Sequence, residues 1–294
     1  MGQQHGGAIV VSGATRGVGR STATAFAQAG FRVYAGVLPG EREAWTPDGP
    51  TAPGAVEAVD LDVTQPTQIA ALARKLDADG LPLRAVVNVA GVARFDVQEL
   101  ADPAMIRRMF DVNVFGGRDL AVACVPLLKR SRGRIVFVSS MAAKMAMPFL
   151  GGYAATKTAI EFFADALRME LRPWGVTVAC VEPGGIKSDM TTEALHHLQA
   201  RAQECTASDD LRPYAGGYQA MADSVGKDIG KFLSTQDVAA ALVGLVTAPS
   251  MPIRTVLGKD AKAVVMLRRL LPDGLLDKVL SKQVKLSRAP VPSV

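Results

Sequence analysis

Short β-branched runs alternate with longer helical segments from the start of the chain to about residue 260. The runs are "AIVVSG", "FRVYAGV", "GAVEAVDLDV", "LRAVVNVAG", "RGRIVFVSS", "GVTVACVEPGG" and "IRTVLG". Between them lie segments of helical spacing, among them about Val18 to Ala29, "PTQIAALARKLDA" and a segment beginning "GGYAATKTAIEFF". Strands separated by a helix are laid side by side in parallel, because only a crossover returns the chain to the same end of a sheet. The pattern therefore predicts a doubly wound α/β domain: a mostly parallel, seven-stranded sheet with helices on both faces.

No shift of composition divides the 294 residues, and 49% of them are apolar, enough for one large core. The stretch "PGEREAWTPDGPTAPG" lies between the second and third strands and is an enlarged loop. Residues 188–233 have weak periodicity, and an insertion of that length in a compact domain is a lid or substrate loop. "STQDVAAALVGLV" restarts a helix, with Ser234 or Thr235 as its cap. We expect a catalytic or binding domain over residues 1–260 and a C-terminal helical extension over 261–294.

The net charge of +5 sits in the tail, where nine Lys and Arg face three Asp from Pro252 onward. Helices packed on the domain with a solvated cationic side account for it, with weak attraction to an anionic membrane surface as the alternative. No nucleic-acid partner is expected. The opening "MGQQHGGAIVVSG" has no basic start or long apolar run, and no apolar segment is span-length, so the expected location is cytoplasmic. Cys124, Cys180 and Cys205 are scattered and odd in number, consistent with reduced, structural thiols. His5, His196 and His197 have no further ligand at metal spacing, so no metal is expected.

"SGATRGVGRSTATAFAQAG" follows the first strand and opens a helix, with Gly13, Gly17 and Gly19 in the pattern G-x-x-x-G-x-G. Glycine is needed where backbone must turn sharply and let a diphosphate approach the NH groups of a helix N-terminus. Dinucleotide domains often place an acid at the end of the second strand to hold the adenosine ribose. Here that position is Val37, and Arg16 within the loop offers a cation for a 2′-phosphate, which favours NADP(H) over NAD(H). Glu41 and Glu43 nearby weaken that preference, so NAD stays possible. Further on, Tyr153 precedes Lys157 by four residues on a helix whose core-facing set is Ile160, Phe163, Ala164, Leu167 and Leu171. Residues four apart share a helix face, so phenol and ammonium act on one small volume.

The glycine loop, "NVAG" from Asn88 to Gly91, Ser140 thirteen residues before Tyr153, and Tyr153 with Lys157 occur in one order along most of the chain. Together they closely resemble the short-chain dehydrogenase/reductase family, which implies a Rossmann-type domain and dinucleotide-dependent redox chemistry. The resemblance implies Asn113, Ser140, Tyr153 and Lys157 as the catalytic set. Tyr153 would be the general acid in carbonyl reduction and the base in alcohol oxidation. Its phenol would be made more acidic by the Lys157 ammonium. Ser140 would hold the substrate oxygen, with Ser139 as the competing neighbour. Asn113, in "FDVNVFG", would anchor a water relay toward Lys157; otherwise it bonds local backbone. Implied cofactor contacts are Gly13, Thr15, Arg16, Gly17, Val18 and Gly19, then Asp62 and Val63 at the adenine, and Asn88, Ala90 and Gly91. Tyr153 and Lys157 join them, with Pro183, Gly184, Ile186 and Ser188 along the nicotinamide. Two departures stand out: Val89 where the family usually has a second Asn, and Ser12 where it has Thr.

The "VYAGV" strand and the "LLPDGLLDKVL" tail look like retinol and hydroxysteroid dehydrogenases. Met141, Met145, Met147, Pro148, Phe149 and Leu150 after Ser140, and Met190 in the long loop, suit an irregular apolar ligand or a subunit interface. The expected activity is hydride transfer between nicotinamide and a carbonyl or alcohol carbon of a lipophilic steroid-, retinoid- or acyl-like substrate. A small-ketone or 3-oxoacyl reductase and a non-catalytic NADP(H)-binding regulator are the alternatives. Relatives of this kind imply a homodimer or homotetramer.

Overall fold

A computed structural model describes residues 6–52, 54–209 and 211–284. His5 and the last ten residues of the basic tail, 285–294, lie outside it. Seven strands form one sheet: β1 (Ala8–Val11), β2 (Arg32–Val37), β3 (Val56–Asp60), β4 (Leu83–Asn88), β5 (Arg134–Val138), β6 (Thr177–Pro183) and β7 (Arg254–Leu257). Their order is β3-β2-β1-β4-β5-β6-β7, and every neighbouring pair is parallel. The chain runs outward from β1 through β2 to β3, then returns to the other side of β1 at β4. A crevice opens outside the carboxyl ends of the strands at such a reversal.

Covering both faces explains why the strands are continuous apolar runs: all of β1 is buried. On one face α2 (Pro66–Asp79), α4 (Gly117–Ser131) and α5 (Gly151–Leu171) supply Leu72, Leu76, Leu120, Leu128, Ile160 and Ala164 to the core. On the other, α1 (Gly17–Gln28) and α8 (Thr235–Thr247) supply Ala23, Phe26, Val238 and Leu242. Ser234 caps α8 in a reciprocal capping box with Asp237. Of the apolar set expected to face the core from α5, Phe163 is instead 37% exposed. It lies at the edge of the apolar stripe, on the side of Phe162, which is 74% exposed.

The helix α3 (Pro103–Phe110) runs into α4 through a π-helical turn over Asp111–Gly116. Such turns widen a helix by one residue and often sit at functional sites. Here the turn carries Asn113 past the end of β4, and a Cβ on Gly116 would meet the Val63 side chain at 2.6 Å.

Residues 188–233 fold into α6 (Asp189–Ala207) and α7 (Arg212–Asp228). Leu198, Ala202 and Cys205 of α6 and Tyr218, Met221 and Ala222 of α7 bury against Ala142, Phe149 and Leu150. The chain then closes with α9 (Lys259–Leu270) and α10 (Asp273–Gln283), whose Val264, Leu267, Leu276 and Leu280 pack around Met145. The first turn of α9 is tied to the sheet: the Asp260 carboxylate accepts the Gly185 NH at 2.7 Å. The exposed faces of α9 and α10 carry Lys259, Lys262, Arg269, Lys278 and Lys282.

Candidate active site

The carboxyl ends of β1, β4, β5 and β6 border a cleft of about 520 Å³. At one end lies the glycine loop. Gly13 has φ +66°, and a Cβ there would fall 2.6 Å from the Cα of Ala90. Gly17 has φ +56° and nothing within 4 Å of a Cβ, so its side of the loop is open. Helix α1 starts at Gly17, and its N-cap Arg16 makes no side-chain cap hydrogen bond. The first NH groups of α1 thus have no side-chain acceptor from the cap, and they sit at the positive end of the helix dipole. This cradle fits a dinucleotide diphosphate.

Three further contacts hold the cradle, none of them legible in the sequence. Trp45, from the enlarged loop after β2, donates its indole NH to the Ala14 carbonyl at 2.6 Å. Asp48 of the same loop accepts from the Ser21 hydroxyl on α1 at 2.6 Å. Thr15 accepts the Leu38 NH at 3.0 Å, fastening the end of β2 to the cradle. Ser12, standing where relatives have Thr, accepts from both the Val89 and Ala90 NH groups at 3.1 and 3.2 Å.

Gly13 to Gly19, Asp62, Val63, Ala90, Gly91, Ser140, Tyr153, Lys157, Pro183, Gly184, Ile186 and Ser188 contribute to this one cleft, apart from buried Ala14 within the loop. Asn88 does not. It ends β4 with its side chain turned under the cleft toward Gly117, 6% exposed, and neither amide atom has a hydrogen-bond partner. The Asp62 carboxylate is engaged in its own turn, accepting from the NH and hydroxyl of Thr64. Arg16 reaches across the cleft mouth to α6, 2.9 Å from Glu193 and 3.8 Å from Asp189.

At the other end, Tyr153 and Lys157 occupy the first two turns of α5. The Ser140 hydroxyl accepts the Ala142 NH at 3.1 Å, capping the short turn that follows, and stands close enough to the Tyr153 phenol to favour its ionised form. Ser139 turns the opposite way, donating to Glu161 at 2.7 Å, so Ser140 is the serine that stands with Tyr153. Lys157 is 5% exposed; its ammonium lies 5.6 Å from the Tyr153 ring centre and donates to the Val138 carbonyl at 2.9 Å.

Burial pushes the Tyr153 phenol up to about 12, opposed by the Ser140 hydrogen bond. Burial pulls Lys157 down to about 8, opposed by Cys180 and Glu161. The lowered phenol expected from the Tyr/Lys spacing is thus not present in the protein alone. Desolvation disfavours phenolate more than a cation committed to Val138 can favour it. Tyr153 keeps its proton at neutral pH.

Asn113 clamps two segments together. Its Oδ1 accepts the Val92 NH at 2.8 Å, and its Nδ2 donates to the Val92 carbonyl and to Thr156 Oγ1 at 2.9 and 3.0 Å. The side chain is spent on holding the strand-β4 loop against α5, far along the chain from its local backbone.

Val92, Phe95, Met105, Met190, Ala194 and His197 also line the cleft. Of the apolar residues singled out in sequence, only Met190 is there. Met145 is buried under α10, and Phe149 and Leu150 pack α6 and α7, so they support the chamber from behind. Among the described residues no three His, Cys, Asp or Glu side chains group so as to hold a metal ion.

A seven-stranded parallel sheet with a glycine cradle at its reversal and a Ser–Tyr–Lys group in the same cleft defines a dinucleotide-fold protein. The family profile described as short chain dehydrogenase matches residues 7–199, and the chain belongs to that family. It is 35% identical to estradiol 17-beta-dehydrogenase 2 of Rattus norvegicus over 212 residues, 67% of this chain and 55% of that protein. The chain thus spans little more than half of the rat protein's length. Against the Mus musculus protein of the same name identity is 32% over 300 residues, covering 94% of this chain and 74% of that protein. Among solved structures, a short chain dehydrogenase from Burkholderia cenocepacia in complex with NADP aligns with a TM-score of 0.73 at 24% identity, over 95% of this chain and 98% of that one.

Proposed function

We propose that this protein is an NAD(P)(H)-dependent oxidoreductase that interconverts a carbonyl and an alcohol on a lipophilic, steroid- or retinoid-like substrate, with NADP(H) preferred. The observation that carries the reading is the convergence of Ser140, Tyr153 and Lys157 at one end of a cleft whose other end is the glycine cradle. Bound nicotinamide dinucleotide would supply or accept the hydride. The chain's own residues do the rest. Ser140 holds the substrate oxygen by a hydrogen bond that strengthens as negative charge develops there. Tyr153 passes its hydroxyl proton to that oxygen, and Lys157 places a positive charge beside the phenolate so formed. Val92, Phe95, Met105 and Met190 make the chamber apolar and adaptable, which suits the lipophilic class that the rat and mouse relatives' names also suggest.

The coenzyme preference is supported by Val37 at the end of β2, where no carboxylate opposes a 2′-phosphate, and by Arg16 in the cleft. Initial rates with NADPH and NADH on steroid, retinoid and acyl ketones test the proposal. NADPH should be consumed faster with at least one lipophilic ketone, and consumption of neither coenzyme with any of them rejects it. Arg16→Ala should weaken NADPH binding about tenfold more than NADH binding, the loss of one exposed charge-assisted contact. Equal weakening would show that Arg16 serves only the ion pair with Glu193.

A homodimer or homotetramer built on α4 and α5 is supported by apolar side chains left in solvent along α5 and at the ends of the two helices: Phe162 at 74% exposure and Met169 at 62% on α5, with Phe115 just before α4 and Trp174 just after α5 close to half exposed. Phe162→Glu should reduce the mass in sedimentation to that of one chain while leaving the monomer folded; an unchanged mass places the interface elsewhere. A cytoplasmic site is supported by three buried free thiols, Cys124, Cys180 and Cys205, and cell fractionation tests it. No helix among the described residues is long and apolar enough to cross a membrane.

A further inference from the structure

Behind the Ser–Tyr–Lys group lies a set of buried charges that the proposed proton transfer does not use. Glu161 is 4% exposed and Glu182 1%. Lys144 pairs with both, at 2.9 Å to Glu182 and in a short contact with Glu161. Arg254 of β7 lies 3.3 Å from each of them and 2.7 Å from Asp165. Burying such a group costs more than filling the space with apolar side chains, so stability alone is a poor reason for it.

The two oxygens of Glu161 are divided between the two ends of one short segment. Oε1 accepts from Ser139, immediately before Ser140, and Oε2 takes Lys144, immediately after the turn that Ser140 caps. Glu161 also stands one helical turn beyond Lys157, and the two grip adjacent residues at the end of β5: Lys157 donates to the Val138 carbonyl, Glu161 accepts from Ser139.

We propose that Glu161 is a positioning residue: it fixes the 139–144 segment so that Ser140 faces Tyr153, and it places a carboxylate one helical turn from Lys157. Lys144 and Arg254 set two cations against that carboxylate, and Glu182 beside it has its carboxyl pushed up by burial. Lys157 lies 5.6 Å from the Tyr153 ring centre, and its ammonium is favoured against burial by Cys180 of β6 and by Glu161 one turn on along α5. Burial holds the Cys180 thiol at about 12, so it is neutral at working pH, which leaves Glu161 as the carboxyl group of the three. The role of Ser140 in this inference rests on the proposed oxidoreductase activity, whereas the role of Lys157 can be read without turnover.

The test is a titration of Lys157 by NMR of the protein carrying isotope-labelled lysine, without coenzyme, alongside kcat and KM with NADPH and a reducible ketone. Glu161→Gln should move the Lys157 titration down by about one unit, since an opposite charge nearby shifts a group by one unit or more. It should lower kcat about tenfold with little change in KM, because Ser140 acts on the developing charge rather than on ground-state binding. Glu161→Asp, which keeps the charge, should restore the titration. Glu182→Gln removes a carboxylate from the same cluster without touching Ser139, and should lower thermal stability while leaving the Lys157 titration in place. Should Glu161→Gln not fold, Ser139→Ala decides: it keeps the charge but releases the segment that carries Ser140, and should lower kcat severalfold while leaving the Lys157 titration in place. An unmoved Lys157 in Glu161→Gln, an equal shift in Glu182→Gln, or an unchanged kcat in Ser139→Ala overturns the inference. A moved Lys157 in a protein that turns over no ketone keeps Glu161's electrostatic role and rejects the activity instead.

Discussion

Tyr153→Phe should lower kcat/KM for ketone reduction about a thousandfold, the span general acid catalysis accounts for, with coenzyme affinity nearly unchanged. The ring stays, packed 6.4 Å from Phe95, and only the hydroxyl beside Ser140 is lost. Stopped-flow absorbance of NADPH with saturating ketone reads the loss directly, and melting temperature shows that the fold is intact. Retention of a tenth of the native rate would mean that the proton comes from elsewhere, water or Lys157 among the candidates. The pH profile of the native enzyme separates the two groups. The phenol, raised to about 12, keeps its proton throughout the assay range. Lys157, lowered to about 8, loses its charge in the folded protein as pH rises through that value. Reduction should therefore decline on the alkaline side near pH 8, whereas a flat profile to pH 10 would show that the ammonium does not matter.

Gly19→Ala should cost about 3 kcal/mol of stability, at the upper end of what overpacking a tight site costs. A Cβ there would lie 2.5 Å from the Gly13 carbonyl carbon and 2.9 Å from the Ala14 Cα, and closer still to the Gly13 oxygen. These are backbone atoms, part of the cradle itself, and they cannot yield as a flexible side chain would. The melting temperature should fall by roughly 6 °C or more for a domain of this size. Coenzyme binding, measured by quenching of protein fluorescence, should weaken about a hundredfold as the loop opens, the 2.7 kcal/mol of a displaced cradle. Gly17→Ala is the contrast: its Cβ would meet nothing within 4 Å, so only the positive φ opposes it, costing about 1 kcal/mol. Equal effects at the two positions would show that backbone conformation, not close approach, decides the loop.

The strands, the crossover helices and the glycine loop were legible in the chain because each depends on residues within a few positions of one another. Continuous apolar runs imply strands buried on both sides, and Gly13, Gly17 and Gly19 mark backbone that must turn or touch. Tyr153 and Lys157 share a helix face by spacing alone. Their protonation did not follow from that spacing, since it depends on how much water the closed cleft excludes. The enlarged loop after β2 was recognisable as a loop, but not that Trp45 would bond Ala14, 31 positions away.

Other residues changed meaning once the elements packed. Asn88, one position from cleft-lining Val89, points under the cleft because successive side chains of a strand alternate between faces. Met145 and Met147 support the chamber from behind, while Met105, from a helix more than thirty residues earlier, lines it. Glu161, Lys144, Glu182 and Arg254 come from four separate elements, and no short-range pattern announces them. The order of residues determined the elements and the reactive groups, since propensity, periodicity and turn chemistry act locally. Only the tertiary structure decided which faces meet, how dry the cleft is and which charges are paired, because those depend on contacts between segments that the chain itself holds apart.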